Sequence, residues 1–512
     1  MGAFKASSRM FAAVALATGG AATAEWREAR SSHFIVYADD SESGIRDLAT
    51  RLERFDAVVR RLHKFDVSDG QASNPLTVFV LSGRSSVQKL YGGDRDIAGF
   101  YVPRASGSVA FTPGRGDGDG GLQPQIVLFH EYGHHLLLGN STIAYPNWFS
   151  EGYAEFVSTT RFDKASAMVG VAAQHRAYGL IETNGISIER LLDPRPHKLS
   201  DVEREALYGR GWLMTHWLMF DPARFAKFNA YLKFINDGMP PLAAATKAFG
   251  DLKALDRDLN RYLRASTLPA MAIQYVNLPA ITVTVNTLSP GARALMPFRQ
   301  RSVRGVNATT SLPLYTKAAA LAARYPDDAL AQSWLAEMAY DAKRDDEAEA
   351  AADRALAVDP KSVQAMLYKA QVRLRRAAEA KSTDKKVWAD ARSWIVKANR
   401  IDPDCAWPLA LFYRSFEMAD QPPTASAAKG LERAFELIPQ DGSLRMALVG
   451  QKLVEGDLAA ARTYLRPIAF DPHAAPDNPA AKLLAVIDTL KDPKAAAAAM
   501  KAMEAAGEGE GD

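Results

Sequence analysis

His130-Glu131-Tyr132-Gly133-His134 is the stretch whose reading decides the fold. On a helix the two histidines stand four residues apart, so both imidazoles leave one face. That spacing lets two His ligands share one Zn²⁺, with Glu131 beside them to activate water. The flanks read as a helix. Pro124 suits a first helical turn, where its missing N–H costs nothing. Ile126-Val127-Leu128-Phe129 leads in, Leu136-Leu137-Leu138 leads out, and Gly139-Asn140 is a stop signal. A helix apolar on all sides is a buried one. Its ionisable groups then need a partner, and a metal supplies one. His135 points off the metal face.

A second segment follows. Sixteen residues separate His134 from Glu151 in Pro146-Asn147-Trp148-Phe149-Ser150-Glu151-Gly152-Tyr153-Ala154-Glu155. This reads as the start of another helix, with Glu151 and Glu155 four apart on one face. Together the two segments resemble the gluzincin metallopeptidases (thermolysin and its related aminopeptidases), and more closely their peptidase-MA-like branch. The resemblance spans about residues 25–270 and is carried by these core motifs. It implies that His130, His134 and Glu151 bind zinc, that Glu131 is the general base, and that Glu155 orients the first histidine. Related peptidases use a downstream tyrosine to stabilise the oxyanion. Tyr208, in Tyr208-Gly209-Arg210-Gly211-Trp212, resembles that position; a buried packing tyrosine is the alternative. His216 is the other candidate donor, and a lone histidine on an apolar helix reads as a core residue.

The chain has 512 residues, 48% hydrophobic and 24% charged, which fits two to four globular domains. A net charge of +3 points to no nucleic-acid partner. A single cysteine, Cys405, excludes an intramolecular disulfide and a cysteine-based zinc site. Residues 1–24 read as a signal peptide: Lys5 and Arg9, a short apolar run from Met10 to Ala17, then Ala22-Thr23-Ala24 as a cleavage site. The expected location is therefore periplasmic or secreted, with no stable membrane span after cleavage.

Residues 25–123 read as an α/β lead-in with strands at His33–Tyr37 and Leu76–Leu81, and a hairpin from Gly99–Val102 and Ser108–Phe111. Arg115–Gly121 reads as a flexible Gly/Asp connector rather than a calcium loop. Ser200-Asp201-Val202-Glu203 is a capping box opening a helix. Residues 271–312 read as a small β-containing connector, with Ala280–Val285 alternating and prolines at 279, 290 and 297.

From about residue 313 the chain repeats. Pro326, Pro360, Pro403, Pro439 and Pro472 each stand near a helix end, at gaps close to 34 residues. Ala348, Ala391, Ala427 and Ala460 stand twelve residues before the last four, and Ala355, Ala398 and Ala434 five before three of them. These small positions resemble the helix contacts of tetratricopeptide repeats, expected over 313–490, with 491–512 as a flexible tail. The longer second gap, from Pro360 to Pro403, implies an insertion near Arg375–Lys386. The fold class expected is α+β, mainly helical: a gluzincin-like domain over 25–270, the connector, then an α-solenoid. The function expected is a zinc metallopeptidase acting on peptide or protein, with a protein partner or substrate on the repeats. The alternatives are a catalytically vestigial scaffold and a zinc hydrolase of non-peptide amides.

Overall fold

The computed structural model describes residues 25–63, 71–93, 97–115, 123–139, 143–182, 185–194, 199–470 and 478–508. The signal-peptide reading of 1–24 and most of the Gly/Asp connector lie outside these residues. The described chain is mainly helical, with a mixed sheet near its start.

The first third is built from β1 (Trp26–Arg30), β2 (Phe34–Asp39), α1 (Glu42–His63), β3 (Leu76–Leu81), α2 (Arg84–Tyr91), β4 (Phe100–Val102), β5 (Val109–Pro113), α3 (Pro124–Gly139) and α4 (Asn147–Ser158). A short hairpin, β6 (Arg161–Phe162) and β7 (Ser166–Val169), follows. Then come α5 (Ile188–Leu192), α6 (Asp201–Met219), α7 (Pro222–Asn236), α8 (Pro241–Phe249) and α9 (Leu252–Leu263). The expected capping box at Ser200 is present, with Glu203 answering the cap.

The main sheet has strand order β4-β5-β3-β2-β1-β9, where β9 is Thr284–Thr287. β2, β3 and β5 run parallel; β4, β1 and β9 pair antiparallel with their neighbours. The predicted hairpin is β4–β5, and it puts β4 at the edge of the sheet. β8 (Met271–Gln274) joins β7 in a three-stranded sheet. The stretch 271–312 is thus not a connector of its own. Its strands complete both sheets of the preceding region, and the predicted strand at Ala280–Val285 is observed a few residues later. Pro290 begins α10 (Pro290–Arg304), and Pro297 lies inside it.

The rest is helical: α11 (Ala308–Ala322), α12 (Ala329–Asp341), α13 (Asp345–Val358), α14 (Val363–Glu379), α15 (Lys385–Ile401), α16 (Ala406–Glu417), α17 (Ala425–Leu437), α18 (Gly442–Glu455), α19 (Leu458–Ala469), α20 (Pro479–Leu490) and α21 (Pro493–Glu508). Each helix packs on the next. Ala348, Ala355, Ala391, Ala398, Ala427 and Ala434 are all fully buried, as the repeat spacing requires. Ala460 is only half-buried and Ala461 takes the inner position, one residue out of step. The long unit takes its extra residues where the insertion is expected, as longer helices on either side of 380–384: α14 and α15 are each 17 residues long, against 13 and 14 for α12 and α13. The tail reading fails. Pro493–Glu508 is α21, with Ala496 and Met500 buried against the preceding helices.

Side chains alternate across strands, and here both faces are covered. Phe34, Val36, Leu76 and Val78 pack under α1 and α3, where Phe55 stacks on Phe129 at 4.0 Å. Tyr37, Phe79 and Phe111 point the other way and share one core with Leu295 of α10 and with Trp334 and Ala365 of the repeat helices. Tyr37 meets the Trp334 ring edge-on at 6.2 Å. Polar contacts reinforce this join: Asn74 donates to the Asp404 carbonyl (2.7 Å), and Ala105 N–H donates to Asp441 (2.7 Å). The first helices of the array are therefore the second covering layer of the sheet.

Candidate metal centre

α3 places His130 and His134 one turn apart, and α4 brings Glu151 beneath them. The His130 and His134 Nε2 atoms are 3.2 Å apart; Glu151 Oε2 lies 3.3 Å from the first and 3.5 Å from the second. Ligands about 2.05 Å from a tetrahedral zinc lie about 3.3 Å from one another. The three atoms thus form a triangle of the size that zinc requires. Glu151 Oε2 is buried and makes no hydrogen bond, an orphaned acceptor that a cation would satisfy. The residues present fit the metal.

The outward nitrogens of both histidines are held. His130 Nδ1 lies 3.1 Å from Glu155 Oε1, and His134 Nδ1 lies 3.3 Å from Ser150 Oγ. Glu155 is almost fully buried and also meets His175 Nε2 at 2.6 Å and the Arg176 guanidinium at 2.7 Å. Such partners fix the ring orientation of a metal-ligating histidine. The sequence reading identified Glu155 but missed Ser150, His175 and Arg176. Ser150 adjoins Glu151 in sequence and could have been considered. His175 and Arg176 arrive on a short 3₁₀ turn, Gln174–Arg176, with no local signature.

Electrostatics follow from this crowding. Burial alone would lower the His130 pKa, but the Glu151 and Glu155 carboxylates outweigh it and raise it to about 10. Burial would raise Glu151, yet His134 and His130 hold it far below the ordinary carboxylate range. Glu131 is raised, chiefly by burial, against the pull of the two histidines. Its neighbour is Gly99, just before β4: a Cβ there would lie 3.7 Å from Glu131 Cγ and 2.4 Å from Val127 Cγ1. The edge strand therefore opens beside Glu131.

Tyr208, on α6, comes to this site: its ring lies 6.0 Å from that of His130, with the Arg176 guanidinium over its face at 4.5 Å. The Glu151 charge and then burial keep the phenol protonated, far above its usual pKa. α6 reaches so close because Gly152 and Gly211 face one another; a Cβ on Gly152 would stand 2.2 Å from the Gly211 carbonyl oxygen. His216 is a core residue, as expected, bonded to Tyr262 (2.8 Å) and the Gly170 carbonyl (3.0 Å). His135 points away from the metal face, and its Nδ1 accepts from Tyr101 (2.8 Å) and Gln440 (3.3 Å).

A second group of possible ligands, His33, Glu53 and Asp56, lies behind α3. There the Arg60 guanidinium sits 2.8 Å from both Asp56 oxygens, and Tyr132 donates to Asp56 at 2.7 Å. Asp56 already faces a permanent cation and Glu53 is bonded to His33 (2.8 Å), which makes the group a structural ion network.

No family model matches this chain, and no curated protein matches it. Among solved structures it is similar to one titled "MamA RS-1 ArsTM double mutant", at 14% identity and a TM-score of 0.27, over 36% of this chain and 96% of that one.

Proposed function

We propose that the protein is an exported zinc-dependent metallopeptidase of gluzincin type. The observation that carries the reading is the triangle of His130 Nε2, His134 Nε2 and Glu151 Oε2, with its buried, orphaned carboxylate oxygen. Zinc bound there supplies a Lewis acid that polarises a carbonyl and acidifies water. Glu131, with its raised pKa, takes the proton from attacking water and delivers it to the leaving amine. Tyr208, kept protonated, donates a hydrogen bond to the oxygen that gains charge. Glu155 holds His130 in register. Edge strand β4 borders Glu131 and offers an extended substrate an unpaired strand edge. The helical pairs that follow are read as tetratricopeptide-like, and they brace the catalytic sheet.

The test is zinc content and peptide hydrolysis measured on the same preparations. Wild-type protein is expected to hold about one zinc per chain, and His134→Ala and Glu151→Ala to lose it. Glu131→Gln is expected to keep zinc and lose cleavage of a broad peptide library. Zinc retained in both ligand variants rejects the site. Equal inertness of wild type and Glu131→Gln, with zinc bound, rejects peptidase activity.

A further inference from the structure

Away from the metal centre, α2, α10 and α11 enclose a groove of about 730 Å³. Leu90, Phe298 and Leu314 contribute its apolar floor. Lys89, Arg301, Arg304 and Lys317 stand around it, all exposed, and among the described residues no carboxylate lines it. Among the described residues Lys89, Arg301 and Lys317 have no ion-pair partner, and Arg304 is bonded only to the Tyr91 carbonyl. On α14, by contrast, Lys369, Arg373, Arg375 and Arg376 each face an acidic side chain. Like charges gathered without counter-charges repel one another, so the arrangement costs stability in the free protein and is relieved by an anionic occupant.

The groove thus presents cations for carboxylates and an apolar floor for a side chain. We propose that it docks an acidic peptide segment of a partner protein, one carrying apolar residues between carboxylates. The site is independent of zinc: the groove shares no residue with the metal centre.

The experiment is fluorescence anisotropy with the full chain and a labelled ten-residue peptide bearing a Phe-Leu pair flanked by Asp and Glu. The expected result is saturable binding that weakens as salt rises and falls about tenfold or more in Arg301→Glu/Lys317→Glu. Lys253→Glu, an exposed reversal on α9, is expected to change nothing, and circular dichroism establishes that each variant is folded. Equal binding of a peptide with Lys in place of Asp and Glu overturns the proposal. So does unchanged affinity in the folded double variant. Binding of phosphatidylglycerol vesicles that the peptide cannot displace also overturns it, in favour of a membrane surface.

Discussion

Gly152 and Gly211 bring α4 and α6 into backbone contact, and that contact sets Tyr208 beside Glu151. A Cβ on Gly211 would stand 2.5 Å from the Trp148 carbonyl oxygen, where no side chain can swing aside. Gly152→Ala and Gly211→Ala are each expected to cost about 3 kcal/mol or more, at or above the upper end of overpacking penalties. Gly442→Ala, at the start of α18 with open space around it, is expected to be neutral or to stabilise by about 0.5–1 kcal/mol. Denaturant midpoints of the three variants check this; equal midpoints would falsify the packing argument.

Glu155 is expected to act through His130 rather than on substrate. Glu155→Gln keeps a hydrogen-bond acceptor but removes the charge shared by His130, His175 and Arg176. Zinc affinity, measured by competition with a chelator, should fall about 10–100-fold while the stoichiometry at saturating zinc stays the same. An unchanged affinity would leave Glu155 as a packing residue.

The metal-free site carries a pH signature. His130 has a folded-state pKa raised to about 10, so at neutral pH zinc must displace its proton. Apparent zinc affinity is expected to climb with pH through the neutral range, with proton release on binding detectable by a pH indicator in weak buffer. The same shift has a stability consequence for the metal-free protein. The stabilisation is full below the unfolded pKa of about 6.5 and is lost as pH rises through about 10. Thermal unfolding of metal-free protein across that window should show it, and His130→Ala should flatten that part of the profile.

The array is expected not to separate from the sheet it covers. Ending the chain at residue 289 uncovers Tyr37, Phe79 and Phe111, and the truncated protein is expected to aggregate and bind no zinc. Trp334→Ala, in the full chain, is expected to cost about 3–5 kcal/mol and to lower the one transition at which zinc is released. A truncated form that folds and binds zinc normally would show two separable units.

The metal motif was legible because its partners sit at helical spacing: His130 with His134, Glu151 with Glu155. A four-residue interval needs no tertiary knowledge to interpret. His175 and Arg176 were illegible because only the fold carries them to Glu155. The connector was misread because Pro290 and Pro297 look like breaks, whereas Pro290 is a helix's first residue and Pro297 is tolerated inside it. β8 and β9 pair with strands more than a hundred and two hundred and fifty residues earlier, respectively, which no local pattern encodes. The stretch 491–512 reads as a flexible tail because it is rich in small and acidic residues. Alanine is the best helix former, and small residues suit a close approach such as that of Met500 to Gly450.

Tyr37 and Trp334 meet across 297 positions of sequence. A chain emerging from its amino end completes the metal helix long before the residues that shelter the far side of its sheet exist. Contacts that span such distances form late and leave sticky surface exposed in the interval. Maturation is therefore expected to involve the whole chain at once, with the candidate metal site completed only after the arrival of helices that contribute no ligand to it.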